Sequence, residues 1–283
     1  MSSIHEIDTA LIAVYVFVCD YLAEHPKVAA WRHSNNNEPA FTDAEVISIA
    51  LMQGCFGCAT LKKTYLLIAY NHADAFPRLC SYQRFIARLH ALQPVVGRLV
   101  VAAAQQQTLP TRFYILDTKP IPMCKPVRHG RVRLLRDEGA YFGKNSVGWY
   151  FGFKLHVLIH KNGTILHVLL TSASVSDKDR NIVCLLASGL QDGLALGDEG
   201  YRSKPLRRLL KQETGVGLLT PPDVPTKHRL FISQVRERIE TRLSQLWNRF
   251  IDRVFSRSWQ GLWNTILLKV LHYNLCQANI LTA

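Results

Sequence analysis

Before Arg112 the apolar residues recur at helical spacing; after it they fall into short runs punctuated by Gly, Pro and Asn. The run from Ala10 to Cys19, bounded by Asp8 and Asp20, predicts a buried helix. It falls short of the roughly 20 residues that cross a bilayer, and it lacks the basic leader of a signal peptide. Thr42 and Glu45 stand in a capping-box pattern ahead of the apolar run Val46 to Met52,. Ser81 is placed to cap a further helix carrying Phe85, Ile86, Leu89 and Leu92. The polar stretch Ser34 to Glu38 reads as a loop. With no strong strand alternation, residues 1–107 are expected to form a helical region.

From Arg112 the expected order is strand, hairpin, helix, strand, helix, strand, helix. Phe113 to Leu116 predicts a short buried strand ending at Asp117. Residues 119–148, rich in Pro, Gly and basic side chains, predict a long irregular connection. Tyr150 to His160 and Thr164 to Thr171 form a hairpin around Asn162-Gly163, a strong short-range turn signal. Ser176 to Leu190 is helical, Leu194 to Gly197 a fourth strand, Ser203 to Thr214 a basic helix with Pro205 in its first turn, and Val216 to Thr220 a fifth strand. Phe231 to Arg253 forms a long amphipathic helix, followed by another around Trp263 to Ala278. A hairpin followed by alternating helices and strands predicts an α/β domain over 108–283, with a five-stranded mixed sheet flanked by helices in ribonuclease H-like order and with C-terminal helices attached.

Charge sharpens this division. Of 34 Lys/Arg and 21 Asp/Glu, residues 1–111 carry 8 of each, whereas residues 112–257 carry 25 basic and 13 acidic side chains. A basic domain containing exposed carboxylates suits a polyanion held close to metal ions. The seven cysteines are irregularly spaced and read as reduced thiols of a cytoplasmic protein. Cys55 and Cys58 form a lone Cys-x-x-Cys without a second pair at zinc spacing.

Asp117 and Asp198 each follow an apolar run and precede a Gly- or Pro-containing turn. In a ribonuclease H-like sheet their strands are neighbours. A third carboxylate is expected from the long helix. Ile232, Val235, Ile239, Leu243, Leu246 and Phe250 define its apolar stripe. At about 100° per residue, Glu240 lies roughly 90° from the stripe centre and Glu237 roughly 150°. Glu240 is therefore at the border of the packed face. Three carboxylates suit two Mg²⁺ or Mn²⁺ ions bridged by a phosphate.

FPRLCSYQRF (from Phe76), LDTKPIPMC (from Leu116), GWYFGFKLH (from Gly148), TSASVSDKDR (from Thr171), LALGDEGY (from Leu194) and RERIETRLSQL (from Arg236) are ordered and collinear. With them the chain resembles a DDE transposase of the insertion-sequence-982 family. The resemblance implies a catalytic, metal-binding triad of Asp117, Asp198 and Glu240. It also implies two divalent ions, cleavage of insertion-sequence terminal repeats, and joining of the freed 3′-hydroxyl to target DNA. It further implies a homodimer on double-stranded DNA in a bacterial, nucleoid-associated setting. Related transposases place Tyr before the Arg and Lys after the Glu of an Arg-x-x-x-Glu pattern. Here Arg236 and Glu240 fit, but Ser233 and Trp247 stand at the outer positions, so Arg242 or Arg249 would have to reach the terminal phosphates.

Lys119 and Lys125, the connection bearing Arg128, His129, Arg131, Arg133 and Arg136, and the helix with Arg202, Lys204, Arg207, Arg208 and Lys211 supply candidate phosphate contacts. His156, His160 and His167 are expected to be structural. Asp177 and Asp179 are expected to cap or to be solvated, with Asp177 as a reserve ligand. Two rival readings are a ribonuclease H-like nuclease that cuts without joining and a non-catalytic DNA-binding repressor descended from a transposase.

Overall fold

The computed structural model describes residues 4–29, 39–107, 111–145, 147–246 and 256–281. Its helices before the sheet are α1 (Ile4–Glu24), α2 (Pro26–Ala29), α3 (Asp43–Cys55), α4 (Leu61–Asn71), α5 (Tyr82–Ala91) and α6 (Gln93–Gln105). The capping box forms: Glu45 N–H donates to Thr42 Oγ1 at 3.2 Å, and Thr42 N–H donates to Glu45 Oε2 at 2.5 Å. Two orphan amides at the start of α3 are satisfied in this way. Ser81 caps α5 by accepting from Arg84 N–H at 3.4 Å. Val46, Ile47, Ile49, Ala50 and Met52 are wholly buried, so α3 has the environment of a central helix, apolar on nearly every side.

After these helices come β1 (Phe113–Cys124), β2 (Tyr141–Lys144), β3 (Trp149–His160), β4 (Ile165–Ser172), α7 (Arg180–Ala187), β5 (Gly193–Leu196), α8 (Lys204–Thr214), β6 (Val216–Leu219), α9 (Thr226–Leu246) and α10 (Trp259–Gln277). Two compact units result. The helical unit holds the described residues up to Gln106 and nearly all of α10; the sheet unit holds those from Gln107 to the end of α9, with Arg257–Trp259. Most of α10, expected with the catalytic domain, thus packs with the helical unit. Buried Asn264 donates to Leu89 O at 3.1 Å and buried Asn274 to Val100 O at 3.3 Å. Leu89 O lies in the last turn of α5, where carbonyls lack an intrahelical partner. Among the described residues no single helix is long and apolar enough to cross a membrane.

The sheet has six strands rather than five, in the order β2-β3-β1-β5-β6, with β4 also paired to β3. β1, β3, β2 and β4 pair antiparallel; β5 runs parallel to β1, and β6 to β5. β2 and β4 share one edge of the long β3: β2 pairs with Trp149–Gly152, and β4 with Phe153–Ile159. Without β2 this is the ribonuclease H-like arrangement. α7 packs against β3 and β4, and α8 against β6. β3 is buried along nearly its whole length, as a sheet covered on both faces requires.

Two expectations are corrected here. β1 does not end at Leu116 but continues to Cys124, and part of the expected irregular connection is β2. Prolines 120 and 122 argued against a strand, yet both are accommodated. Alternation along β1 turns Phe113 O toward β3, where it accepts from Lys161, and Arg112 O toward β5, where it accepts from Leu194. Residues of even number therefore point their backbone nitrogens to the β5 side. β5 has already ended opposite Ile115, so neither proline removes a ladder hydrogen bond. At the hairpin, Asn162 Oδ1 accepts from Thr164 N–H at 2.9 Å and Gly163 has φ +101°.

Candidate active site

The early end of β5 sets up the site. Parallel pairing runs from Phe113↔Leu194 to Ile115↔Leu196 and stops. Carried on by two positions, the same register brings Asp117 alongside Asp198. Asp117 thus lies within β1, at the point where its parallel neighbour ends, and not at the strand end as expected. Asp198 follows β5 and leads into a short 3-10 turn over Glu199–Tyr201. Gly197 allows this turn to fold close, because a Cβ there would lie 2.7 Å from the Tyr201 side chain. Helix α9 supplies the third wall: Ile239 is buried, and Arg236 and Glu240 sit one turn apart. Asp117, Leu196, Asp198, Arg236, Ile239 and Glu240 are among the residues lining an open cleft of about 320 Å³. Glu237 is exposed and does not line it.

The cleft carries more negative charge than it neutralises. Burial raises the Asp117 carboxyl above its ordinary range and Glu240 adds to the effect, against the pull of Lys119 and of the Thr118 N–H. Lys119 Nζ is 3.1 Å from Asp117 Oδ2, and the Thr118 amide donates to Asp117 Oδ1 at 2.8 Å. Asp198, on the exposed rim, is raised by partial desolvation and then by Asp177, with Asp117 adding; Gly200 N–H and Arg236 oppose. Arg236 Nη2 donates to Glu240 Oε1 at 3.4 Å.

Among the described residues no three His, Cys, Asp or Glu side chains stand close enough to share one ion. Lys119 and Arg236 hold the carboxylates of Asp117 and Glu240. The donor set nonetheless fits hard divalent cations: three carboxylates face one cleft, and two of them are held above their ordinary pKa by desolvation and mutual repulsion,. Asp117, Asp198 and Glu240 are the residues that could hold Mg²⁺ or Mn²⁺ there.

The other candidates separate by environment. Lys125, Arg128, Arg131 and Arg133 are exposed, as are Arg202, Lys204 and Arg208. His129 and Arg136 anchor the basic connection instead. His129 packs edge-on to Phe142 at 4.6 Å, and Arg136 lies over Phe151 and donates to His129 O. Arg207 pairs with Asp223, and Lys211 donates to Gly215 O at 2.6 Å. The Arg242 side chain, like Arg249, lies outside the described residues. Asp179 caps α7 through Ile182 N–H at 3.1 Å. Asp177 takes the Lys154 ammonium at 2.6 Å. His156 is buried, with Nε2 2.8 Å from Thr171 Oγ1, and desolvation followed by Lys154 pushes its pKa down to about 4. Cys55 and Cys58 lie in the helical unit and are not joined in a disulfide.

Three features escaped the sequence reading. One is the Lys119–Asp117 pair, which the spacing i, i+2 on one strand face would have given had β1 been extended. Another is the Lys154–Asp177 pair, joined across 23 residues. The last is Tyr201, whose burial no local pattern signals.

Residues 107–254, just over half of the chain, match the family described as a transposase DDE domain. Among solved structures, the chain is similar to piggyBac transposase in a synaptic complex with hairpin DNA, at 10% identity and TM-score 0.49, over 96% of this chain and 74% of that one. It is also similar to Mos1 transposase in a paired-end complex with the left transposon end, at 12% identity and TM-score 0.25, over 94% and 88%. No curated protein matches it.

Proposed function

This chain belongs to the transposase DDE domain family, and from that premise we propose that its cleft cuts the ends of an insertion sequence and joins the freed 3′-hydroxyl to target DNA. The observation that carries the reading is the meeting of Asp117, Asp198 and Glu240 in one cleft inside the family-matched segment. Two Mg²⁺ or Mn²⁺ ions held by these carboxylates would supply activation of the attacking water or hydroxyl and stabilisation of the leaving oxygen. The collinear stretches from Phe76 to Leu246 favour the insertion-sequence-982 group within the family.

The chain's own residues have separable roles in this reading. Asp117 is fixed by β1 and Asp198 by the turn after β5, so both oxygens come from rigid elements. Glu240 approaches from α9, with Ile239 anchoring that turn in the core. Lys119 and Arg236, whose ammonium and guanidinium groups now sit on two of the carboxylates, are placed to meet phosphate oxygens. Exposed Lys125, Arg128, Arg131 and Arg133 extend a basic track beyond the end of β1, and Arg202 and Lys204 another beyond Asp198. Both suit the duplex backbone, whose contacts position DNA without reading sequence. Two such subunits would handle the two element ends together.

Strand transfer separates joining from cutting alone. Labelled element ends already cleaved to expose the 3′-hydroxyl, mixed with target DNA and Mg²⁺, are expected to give joined products. Cleavage of intact ends without joining of pre-cleaved ones would leave a nuclease.

A further inference from the structure

Tyr201 is one of the largest fully buried side chains, at 1% exposure, and its hydroxyl has no hydrogen-bond partner among the described residues. Its ring lies against Gly197, and its amide donates to Asp198 O at 3.2 Å. Gly197 and Asp198 both line the cleft, so the tyrosine stands directly behind it. A phenol buried without an acceptor is an unmet cost that native interiors rarely leave. Burial, and after it the charges of Asp117, Asp177 and Asp198, raises this hydroxyl well above its ordinary pKa, so carboxylates are the acceptors its surroundings supply. None of them accepts from the hydroxyl in this arrangement: Asp117 takes Thr118 N–H and Lys119, and Asp177 takes Lys154.

We infer that Tyr201 is a positioning residue whose hydroxyl donates to the Asp117 carboxylate when a divalent cation displaces Lys119 from it, holding that carboxylate turned toward the ion. The inference rests on the reading of Asp117 and Asp198 as metal ligands. Ligating carboxylates are themselves hydrogen-bonded, and removal of such a partner weakens metal affinity by roughly 10–100-fold. In the metal-free arrangement the same hydroxyl is an unpaired polar atom, so its loss costs the fold nothing.

Thermal melting of the full chain, titrated with Mn²⁺ alone and compared with chelator, tests this in the wild type, Tyr201→Phe and Asp198→Asn. In chelator the Phe variant is expected to melt at or above the wild-type temperature. It is expected to need roughly 10–100-fold more Mn²⁺ for the same stabilisation, while Asp198→Asn loses the stabilisation. Superimposable Mn²⁺ curves for the wild type and Tyr201→Phe, with Asp198→Asn still impaired, would overturn the inference and leave the metal reading standing. So would a Phe variant that melts lower in chelator, since the hydroxyl would then be an ordinary structural bond. A wild type unmoved by Mn²⁺, or Asp198→Asn titrating like the wild type, would remove the metal reading and this inference together.

Discussion

Asp43 in the helical unit and Asp117 in the sheet unit are both partly buried carboxylates facing a cation, and the resemblance ends there. Arg88 reaches Asp43 at 2.6 Å across 45 residues, donates to Phe41 O and lies over the Phe41 ring; the paired side chains are 13% and 14% exposed. A planar fork held by packing and several acceptors fixes one geometry. Asp117 meets Lys119 from two positions along its own strand, at 3.1 Å, with side chains 26% and 27% exposed. An ammonium on a flexible stem is a mobile point charge, and Glu240 adds a second carboxylate beside Asp117. The helical unit thus closes its ion pair as part of the fold, while the sheet unit leaves its pair exchangeable. A binding site for ions and phosphates needs exchangeable partners.

The comparison can be broken most forcefully at the cleft. Asp198→Asn is expected to lower cleavage of element ends by roughly 10³-fold or more, with the melting temperature maintained, whereas Glu237→Gln leaves the rate within about twofold; labelled-end cleavage alongside melting reads both. Next, the two cations should differ in what they hold up. Arg88→Ala takes the guanidinium away from a carboxylate only 14% exposed and is expected to cost about 3 kcal/mol, whereas Lys119→Ala changes stability by less than about 1 kcal/mol. Denaturant unfolding measures the difference, and equal costs would erase the distinction. A pH dependence comes from the same unit as the cleft. His156, buried beside Lys154 and influenced by Asp177 and Asp179, has its pKa pushed down to about 4. Folding favours the neutral ring, so its contribution is complete above the unfolded value near 6.5 and is lost as pH falls from there toward 4. The loss amounts to up to about 3 kcal/mol, and His156→Gln should flatten this part of the stability curve.

What the sequence disclosed follows the range of the forces involved. The Thr42–Glu45 box, the Ser81 cap and the Asn162-Gly163 hairpin are contacts within a few residues, and local pattern suffices for them. The full length of β1 is not legible locally, because Pro120 and Pro122 fit a strand only where the neighbour on their side is missing, and β5 ends opposite Ile115,. β2 was invisible because Tyr141–Lys144 becomes a strand only by pairing with Trp149–Gly152. The joining of α10 to the helical unit depends on Asn264 and Asn274 finding carbonyls 175 and 174 residues away. At the site, the carboxylates and the i, i+4 pair of Arg236 with Glu240 could be named from the chain, but the pairing of Lys119 with Asp117 and of Lys154 with Asp177 could not. Lys119 needed the full length of β1, and Lys154 needed the fold that brings Asp177 to it.

The central claim is that Asp117, Asp198 and Glu240 act together on a DNA phosphate through divalent ions. It is tested most directly by incubating a labelled element end with the wild type and Glu240→Gln in Mg²⁺, Mn²⁺, Ca²⁺ or chelator, following binding and cleavage in the same samples. The expected result is cleavage by the wild type in Mg²⁺ and Mn²⁺ only, with DNA still bound but uncut by Glu240→Gln. Wild-type cleavage that survives chelator, or a Glu240→Gln variant that cuts at the wild-type rate in Mg²⁺, would contradict it.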